Sequence, residues 1–191
     1  MRALYLLRHS LTEANERRLY CGWADPPLSP AGRALAERLR EERPLPGCEL
    51  YASSGLRRAD ETLALLTGRE AGLTLPDLRE MSFGAFELHS YEELKGDAAY
   101  LAWIADESGA VACPGGESRA QFEARVLRGG AALLARPWDR ALAVLHGGVV
   151  VRLMQAWFPG EARGFYDWQP AACHGYRVAF EGETPRAFRE I

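Results

Sequence analysis

Three features that would each assign the protein to a class are missing from the sequence. No apolar run approaches the length of a membrane span, and the chain enters strand-like sequence at once, without the regions of a signal peptide. Basic residues are not in excess, since the formal net charge is -3 and the pI is about 5.9. We therefore expect a cytoplasmic protein that binds neither membranes nor nucleic acid.

Cysteine is scarce and scattered. The four cysteines lie far apart, form no CxxC pair and have no histidine nearby at metal-ligand spacing. This pattern predicts reduced thiols, although the spacing alone leaves a disulfide open. We expect neither a metal nor a cofactor. The residues are Cys21, Cys48, Cys113 and Cys173.

The composition is that of an ordinary globular protein, with 191 residues, of which 48% are apolar and 26% charged. Strand-like and helix-like segments alternate, and no repeat or linker divides them. This order predicts one domain over 1–191, an α/β fold in which a mostly parallel mixed sheet forms the middle of a three-layer α/β/α sandwich. Residues 80–117 mix aromatics, glycines and charges, and we expect them to form a cap over the strand ends.

Two apolar runs end in the same way. The run 3–7 stops at Arg8-His9-Ser10, and the run 141–145 stops at His146 and two glycines. Each run has the length of a strand buried on both faces and is followed by helix-like sequence. Ligands of open α/β sheets bind beyond the carboxyl ends of the strands, where helix N-termini favour anions. A single histidine there is more often a packing or capping residue, but the matched pair predicts an anion site.

Five residues are predicted to converge at this site: Arg8, His9, Arg58, Glu80 and His146. Guanidinium groups bind phosphate oxygens two at a time, and a neutral imidazole can attack phosphorus to form a phosphohistidine. His9 is the favoured nucleophile because Arg8 adjoins it. Glu80 can protonate the leaving alkoxide and then activate water, while the arginines and a protonated His146 balance charge without a metal.

The motifs around these residues resemble those of the histidine phosphatase superfamily, also called phosphoglycerate-mutase-like. The segment LRHSLTEAN at 7–15 is similar to the family signature RHG-x-T-x-x-N, and four further segments follow in the family's order. They are GWADPPLSPAGRALA, SSGLRRADET, LREMSFGAFE and VLHGGVVVR.

Carried over by position, the resemblance implies that His9 is the phosphorylated nucleophile and Glu80 the proton donor. Arg8, Arg58 and His146 would then form the phosphate pocket. It further implies that Thr12 and Asn15 add hydrogen bonds to the phosphate or its loop, and that Arg57 is a solvated helix residue.

The activity implied is that of a metal-independent phosphomonoesterase with a phosphohistidine intermediate, acting on a small phosphomonoester; a homodimer is left open. Thr12 and Ala14 stand where mutases of the family have Ser and Trp, and the chain is short, which favours a phosphatase over a cofactor-dependent phosphoglycerate mutase. The stretch 79–103 most resembles the α-ribazole phosphatases of cobalamin biosynthesis. Its aromatics could stack a heteroaromatic base or simply pack the cap on the sheet. They are Phe86, Tyr91, Tyr100 and Trp103.

Some features depart from the family pattern or have no clear place in it. Ser10 stands where the family has Gly, and if that position requires a positive φ, a serine is strained by about 1 kcal/mol or more. A low-activity, phosphate-binding pseudoenzyme is therefore a further alternative. His89 in the cap and Trp23 are candidates for the pocket wall, whereas His174 is predicted to be structural.

Overall fold

The sheet is built around the two apolar runs. In the computed structural model, which describes residues 1–191, the strands are β1 (Arg2–Arg8), β2 (Leu50–Ser53), β3 (Leu73–Thr74), β4 (Arg140–Leu145), β5 (Gly175–Glu181) and β6 (Thr184–Glu190). Their spatial order is β3-β2-β4-β1-β5-β6. The first four are parallel, and β5 and β6 add an antiparallel hairpin at one edge. The predicted mostly parallel mixed sheet is confirmed.

Helices cover both faces of this sheet. They are α1 (Glu13–Glu16), α2 (Pro30–Glu42), α3 (Arg57–Thr67), α4 (Tyr91–Leu94), α5 (Ala98–Ala105), α6 (Arg119–Leu134), α7 (Gly147–Trp157) and α8 (Phe165–Trp168). Buried residues of α2 and α3 pack with one face of the sheet, and those of α6 and α7 pack with the other. The chain is therefore the three-layer α/β/α sandwich that the sequence predicts.

The apolar runs are continuous because both of their faces are buried. Side chains alternate across a strand, so Leu4 and Leu6 of β1 pack against the α6 and α7 layer, while Tyr5 and Leu7 pack against α2 and α3. This double burial makes β1 and β4 a rigid base for the residues that follow them.

Local sequence signals set the helix starts. The Ser29 side chain caps α2, with Pro30 in the first turn, and Ser118 forms a capping box with Gln121 at the start of α6. Helix α7 begins at Gly147, directly after His146. Tertiary packing explains the glycines there, because a Cβ on Gly147 would lie 2.9 Å from the Gln169 amide nitrogen.

Prolines lie at the two edges of the sheet, where they interrupt no central hydrogen-bond ladder. Strand β3 pairs only with β2 and ends before Pro76, and Pro185 lies in the edge strand β6, where a missing N–H is tolerated. None of the helices combines the length and apolar content that crossing a bilayer requires.

The segment 80–117 carries α4 and α5 and packs on the rest of the domain through aromatic rings. The ring of Tyr20, which lies outside the segment, is 5.8 Å from the rings of both Tyr100 and Trp103. Met81, Phe83 and Trp103 of this segment line a cavity together with Gly148 at the start of α7.

Candidate active site

The register of β1 and β4 brings two histidines together. Arg8 pairs with Leu145 across the two parallel strands, so the next residues, His9 and His146, leave the sheet side by side. The His9 backbone N–H donates to the Leu145 carbonyl at 2.9 Å. The two ring centroids lie 5.1 Å apart with an interplanar angle of 61°, and both side chains are buried.

Hydrogen bonds define which nitrogen of His9 carries the proton. Nδ1 lies 2.6 Å from the Ser10 carbonyl oxygen, which only accepts, so Nδ1 is the donor. Nε2 accepts from Arg58 Nε at 3.3 Å and keeps its lone pair in the neutral ring. Burial and the Arg58 charge hold the pKa of His9 well below its usual value. The ring is therefore a neutral imidazole at physiological pH, with an unprotonated Nε2 that faces a guanidinium.

His146 is held from the opposite side. Its Nε2 lies 2.7 Å from the Ser54 hydroxyl oxygen, while its Nδ1 is buried and has no hydrogen-bond partner. Burial and the Arg58 charge also lower the pKa of His146 well below its usual value. A buried polar atom without a partner is unfavourable, so this nitrogen is an unsatisfied group beside His9.

Arg58 is a fully buried arginine in the first turn of α3. It is held by main-chain carbonyls, with Nη2 2.7 Å from Gly22 O and Nη1 2.8 Å from Ala24 O. Because the guanidinium has no carboxylate at hydrogen-bond distance, with Asp25 4.0 Å away, its positive charge is available to an anion.

One carboxylate organises the loop that supplies those carbonyls. Glu87 accepts hydrogen bonds from the main-chain N–H groups of Gly22, Trp23 and Ala24, and from that of Phe83. Glu87 thus links the cap segment to the loop around Arg58.

Arg8 and Glu80 complete the group of five. Arg8 Nη1 donates to the Pro170 carbonyl at 3.0 Å; burial lowers the pKa of this guanidinium, and the Glu80 charge acts in the opposite direction. The Glu80 carboxylate accepts from the Gly148 and Met81 N–H groups, both at 2.9 Å. All five predicted residues therefore converge where the parallel strands end.

Thr12 and Asn15 lie just after the loop that carries His9. Asn15 Oδ1 accepts from both the N–H and the hydroxyl of Thr12 at 3.0 Å, and the Thr12 hydroxyl accepts from the Asn15 N–H, which forms the capping box of α1. The structure thus gives both residues a structural role beside the loop. Their contact with a bound phosphate stays a prediction.

The strain considered for Ser10 is not found. The non-glycine residues with positive φ are Arg18, Leu88 and Cys173, so Ser10 has an ordinary backbone conformation. Its buried hydroxyl donates to the Gly32 carbonyl at 2.7 Å, and its N–H donates to the Thr62 hydroxyl at 2.9 Å. The serine is therefore accommodated by hydrogen bonds that a glycine could make only in part.

A cavity of about 550 Å³ opens beside Glu80 and Gly148. Its walls are mainly aromatic and apolar, with two arginines among them. The remaining lining residues are Tyr20, Met81, Phe83, Trp103, Ile104, Arg119, Phe122, Arg152, Phe165, Tyr166 and Gln169.

Only one of the four cap aromatics named from the sequence lines this cavity. Trp103 does so, whereas Phe86 and Tyr100 pack in the interior and Tyr91 is 55% exposed against Tyr100. His89 is exposed and outside the cavity, so its placement in the pocket wall was wrong. Trp23 borders the site, because its indole N–H donates to the Glu80 carbonyl at 2.9 Å.

Sequence reasoning missed several supporting residues. Ser54 follows β2 just as the histidines follow their strands, so the same strand-end argument could have found it. Arg125 occupies the buried face of α6 between Phe122 and Val126, where an arginine is a signal in itself. It donates to the carbonyls of residues 77, 79 and 80 and pairs with Glu117. Arg125 therefore fixes the backbone that presents Glu80.

The comparisons with known proteins agree with this geometry. An adenosylcobalamin/alpha-ribazole phosphatase of Escherichia coli K12 is 34% identical over 156 residues, which are 79% of this chain and 76% of that protein. A glucosyl-3-phosphoglycerate phosphatase of Mycobacterium tuberculosis H37Rv is 35% identical over 173 residues, 81% of this chain and 74% of that protein.

Solved structures and the family profile cover nearly the whole chain. The alpha-ribazole phosphatase from Shigella flexneri superposes with a TM-score of 0.85 at 28% identity, covering 96% of this chain and 93% of that one. The profile of the histidine phosphatase superfamily, branch 1, matches residues 4–189. The chain therefore belongs to branch 1 of the histidine phosphatase superfamily.

Proposed function

We propose that this phosphoric monoester hydrolase works without a metal ion, through a phosphohistidine on Nε2 of His9. The observation that carries the proposal is the state of that ring. The Ser10 carbonyl holds the proton on Nδ1, so Nε2 is unprotonated, and Nε2 accepts a hydrogen bond from the Arg58 guanidinium. The arginines supply the positive charge that a metal ion supplies in other phosphoryl-transfer sites.

In the first step, His9 Nε2 attacks phosphorus while the bond from phosphorus to the ester oxygen breaks. Oxygens of the phosphoryl group accept hydrogen bonds from Arg8, Arg58 and the unpartnered Nδ1 of His146. The leaving oxygen takes the proton of Glu80, so the product alcohol departs neutral. The positive charge that develops on His9 is stabilised at Nδ1 by the Ser10 carbonyl.

In the second step, the Glu80 carboxylate takes a proton from water, and the resulting hydroxide oxygen attacks phosphorus. The bond from phosphorus to Nε2 breaks, inorganic phosphate leaves, and both His9 and Glu80 return to their starting states. The Gly148 N–H, which donates to Glu80 in the free site, keeps the carboxylate at the boundary between phosphate site and cavity.

For the alcohol, we propose a ring-bearing group, with α-ribazole 5′-phosphate as the first ester to test. Two observations support it: the curated and solved relatives named for α-ribazole, and the aromatic cavity walls, which suit a heteroaromatic base. The rings of Trp103 and Phe83 both line the cavity, with their centroids 5.9 Å apart.

The test of the chemistry is hydrolysis of p-nitrophenyl phosphate in the presence of EDTA. We expect turnover by the wild type and a loss of at least about a thousandfold in His9→Ala, because the nucleophile is removed. His89→Gln, an exposed histidine outside the cavity, is the matched control. Quenching into alkali and measuring intact mass should reveal one added phosphoryl group in the wild type and none in His9→Ala.

Other outcomes would overturn the proposal. Wild-type protein that binds phosphate but has no turnover would be a pseudoenzyme, and loss of activity in EDTA would contradict the metal-free mechanism. Isomerisation of phosphoglycerate that depends on 2,3-bisphosphoglycerate, at a rate above hydrolysis, would make the chain a mutase. Among esters, a kcat/KM for α-ribazole 5′-phosphate no higher than for p-nitrophenyl phosphate would reject that substrate.

A further inference from the structure

Most of the buried donors without partners belong to residues that line the cavity beside Glu80. Four such atoms belong to residues that line it: Nε1 of Trp103, Nε and Nη2 of Arg119, and Nε of Arg152. Only two other buried side-chain nitrogens or oxygens lack a partner, and one of them, His146 Nδ1, belongs to the phosphate site. All four cavity atoms are donors, so the missing partners are acceptors.

Arg152 has no carboxylate partner. It lies one turn after Gly148 on α7, and its guanidinium makes one side-chain hydrogen bond, from Nη1 to the neutral Gln155 amide oxygen at 3.1 Å. The ion pairs of the molecule do not include it. Its guanidinium carbon lies 5.7 Å from the Phe165 ring, another lining residue.

Arg119, the first residue of α6, has only a distant acidic neighbour. Its Nη2 lies 3.8 Å from Asp106 Oδ2, beyond hydrogen-bond distance. Asp106 accepts instead from the Ser108 hydroxyl and from the N–H groups of Ser108 and Val111, and these bonds lower the pKa of its carboxyl group. The carboxylate is thus committed to its own loop.

The charge of the cavity is therefore unbalanced. Glu80 is its only acidic lining residue, and both of its oxygens already accept main-chain N–H bonds. Guanidinium groups that are partly buried without partners are unfavourable until an anion binds them. A neutral alcohol would leave these donors unsatisfied.

We propose that Trp103, Arg119 and Arg152 form a second anion subsite, which binds a carboxylate or a second phosphate group on the alcohol part of the substrate. The inference rests on the proposed phosphatase function and extends its substrate class to phosphomonoesters whose alcohol part carries an anionic group of its own. α-Ribazole 5′-phosphate has no such group, so it would be bound with the subsite empty and serves as a reference ester.

Two pairs of esters isolate the second anion. 3-Phosphoglycerate differs from glycerol 3-phosphate by a carboxylate in place of a hydroxymethyl group, and O-phosphoserine differs from O-phosphoethanolamine by its carboxylate. Charge-assisted hydrogen bonds to arginine are strong. We therefore expect kcat/KM for the ester with the carboxylate to be at least about tenfold higher than for its partner in each pair.

Variants then assign this preference to the subsite. Arg152→Gln and Arg119→Gln should each lower the ratio within a pair, and the double variant should bring it to about one, whereas Arg152→Lys should keep part of it. Arg128→Gln is the matched control, because Arg128 lies on α6 with a 65% exposed side chain outside the cavity and should keep the wild-type ratio. Circular dichroism melts verify that each variant is folded.

The subsite and the phosphatase function fail in different ways. A wild-type ratio near one, or a ratio unchanged in the double variant, overturns the subsite while hydrolysis of p-nitrophenyl phosphate still supports the function. If the wild type hydrolyses nothing, the function is rejected, and calorimetry decides the subsite alone. The subsite is supported if His9→Ala binds 3-phosphoglycerate more tightly than glycerol 3-phosphate and loses this difference when both arginines are also replaced. Equal binding of the two esters by His9→Ala rejects the subsite.

Discussion

Glu87 offers a sharp test of how this site is assembled, because it makes no hydrogen bond to any of the five converging side chains. Its carboxylate accepts four main-chain N–H groups, at 2.8 to 3.3 Å, three of them from the loop 22–24. The carbonyls of Gly22 and Ala24 in that loop hold Arg58. We predict that Glu87→Ala lowers both stability and activity through the loop.

The size of both effects follows from these contacts. A hydrogen bond to a charged group contributes about 1.5 to 3 kcal/mol, but the four bonds share one partly exposed carboxylate and are not additive, so we expect a loss of about 2 to 4 kcal/mol in the free energy of unfolding. Glu87→Gln keeps one acceptor oxygen and should lose about half as much. A shift of Arg58 by about 1 Å would lower kcat/KM by about 10- to 100-fold.

Two measurements check this prediction. Urea unfolding gives the change in stability, and hydrolysis of p-nitrophenyl phosphate gives kcat/KM. Glu92→Ala is the matched control, since Glu92 is an exposed cap carboxylate that pairs only with Lys95. If Glu87→Ala unfolds at the wild-type urea concentration and keeps its kcat/KM, then the loop 22–24 does not depend on Glu87 to orient Arg58.

Three further predictions concern residues around the phosphate site. Because burial lowers the pKa of His9 and His146, the unfolded chain takes up protons that the folded chain does not. Stability should therefore be complete above about pH 6.5 and decrease below it by up to about 2.7 kcal/mol per pH unit, and His146→Gln should halve that slope in phosphate-free urea unfolding. Ser10→Gly should cost about 1 to 2 kcal/mol in the same assay without raising kcat, because it removes the buried hydroxyl bond to Gly32; a faster enzyme would contradict this. Gly148→Ala places a Cβ 2.5 Å from Glu80 Oε1, so kcat should fall at least about tenfold while the melting temperature changes little; unchanged kcat would argue against Glu80 as the proton donor.

Much of the fold could be predicted because its signals are local. Double burial makes β1 and β4 continuous apolar runs, and serine caps with proline or glutamine at fixed offsets define α2 and α6. The start of α7 has no such local signal, because glycine is a poor helix former on its own. Only the nearby Gln169 and Glu80 side chains, distant in sequence, explain why glycine is needed there.

The candidate site divides in the same way. Arg8, His9 and His146 were found from the sequence because their position follows from the strands alone, although Ser54 at the end of β2 was missed. The cavity wall was mostly missed, since Tyr20 and Phe165 come from segments far from the cap, and only tertiary structure brings them to the same cavity as Trp103. The same is true of Glu87, whose partners lie more than 60 positions earlier, except for Phe83.

The sheet topology explains why the site forms around β4. The helix that follows β4 covers one face of the sheet, whereas the helices that follow its neighbours β1 and β2 cover the other. The chains therefore diverge at the carboxyl end of β4 and leave a crevice there. Each strand contributes to it: His9 follows β1, Ser54 and Arg58 follow β2, and His146 follows β4. Backbone topology alone brings these groups together, and the loop held by Glu87 then fixes the carbonyl groups that orient Arg58.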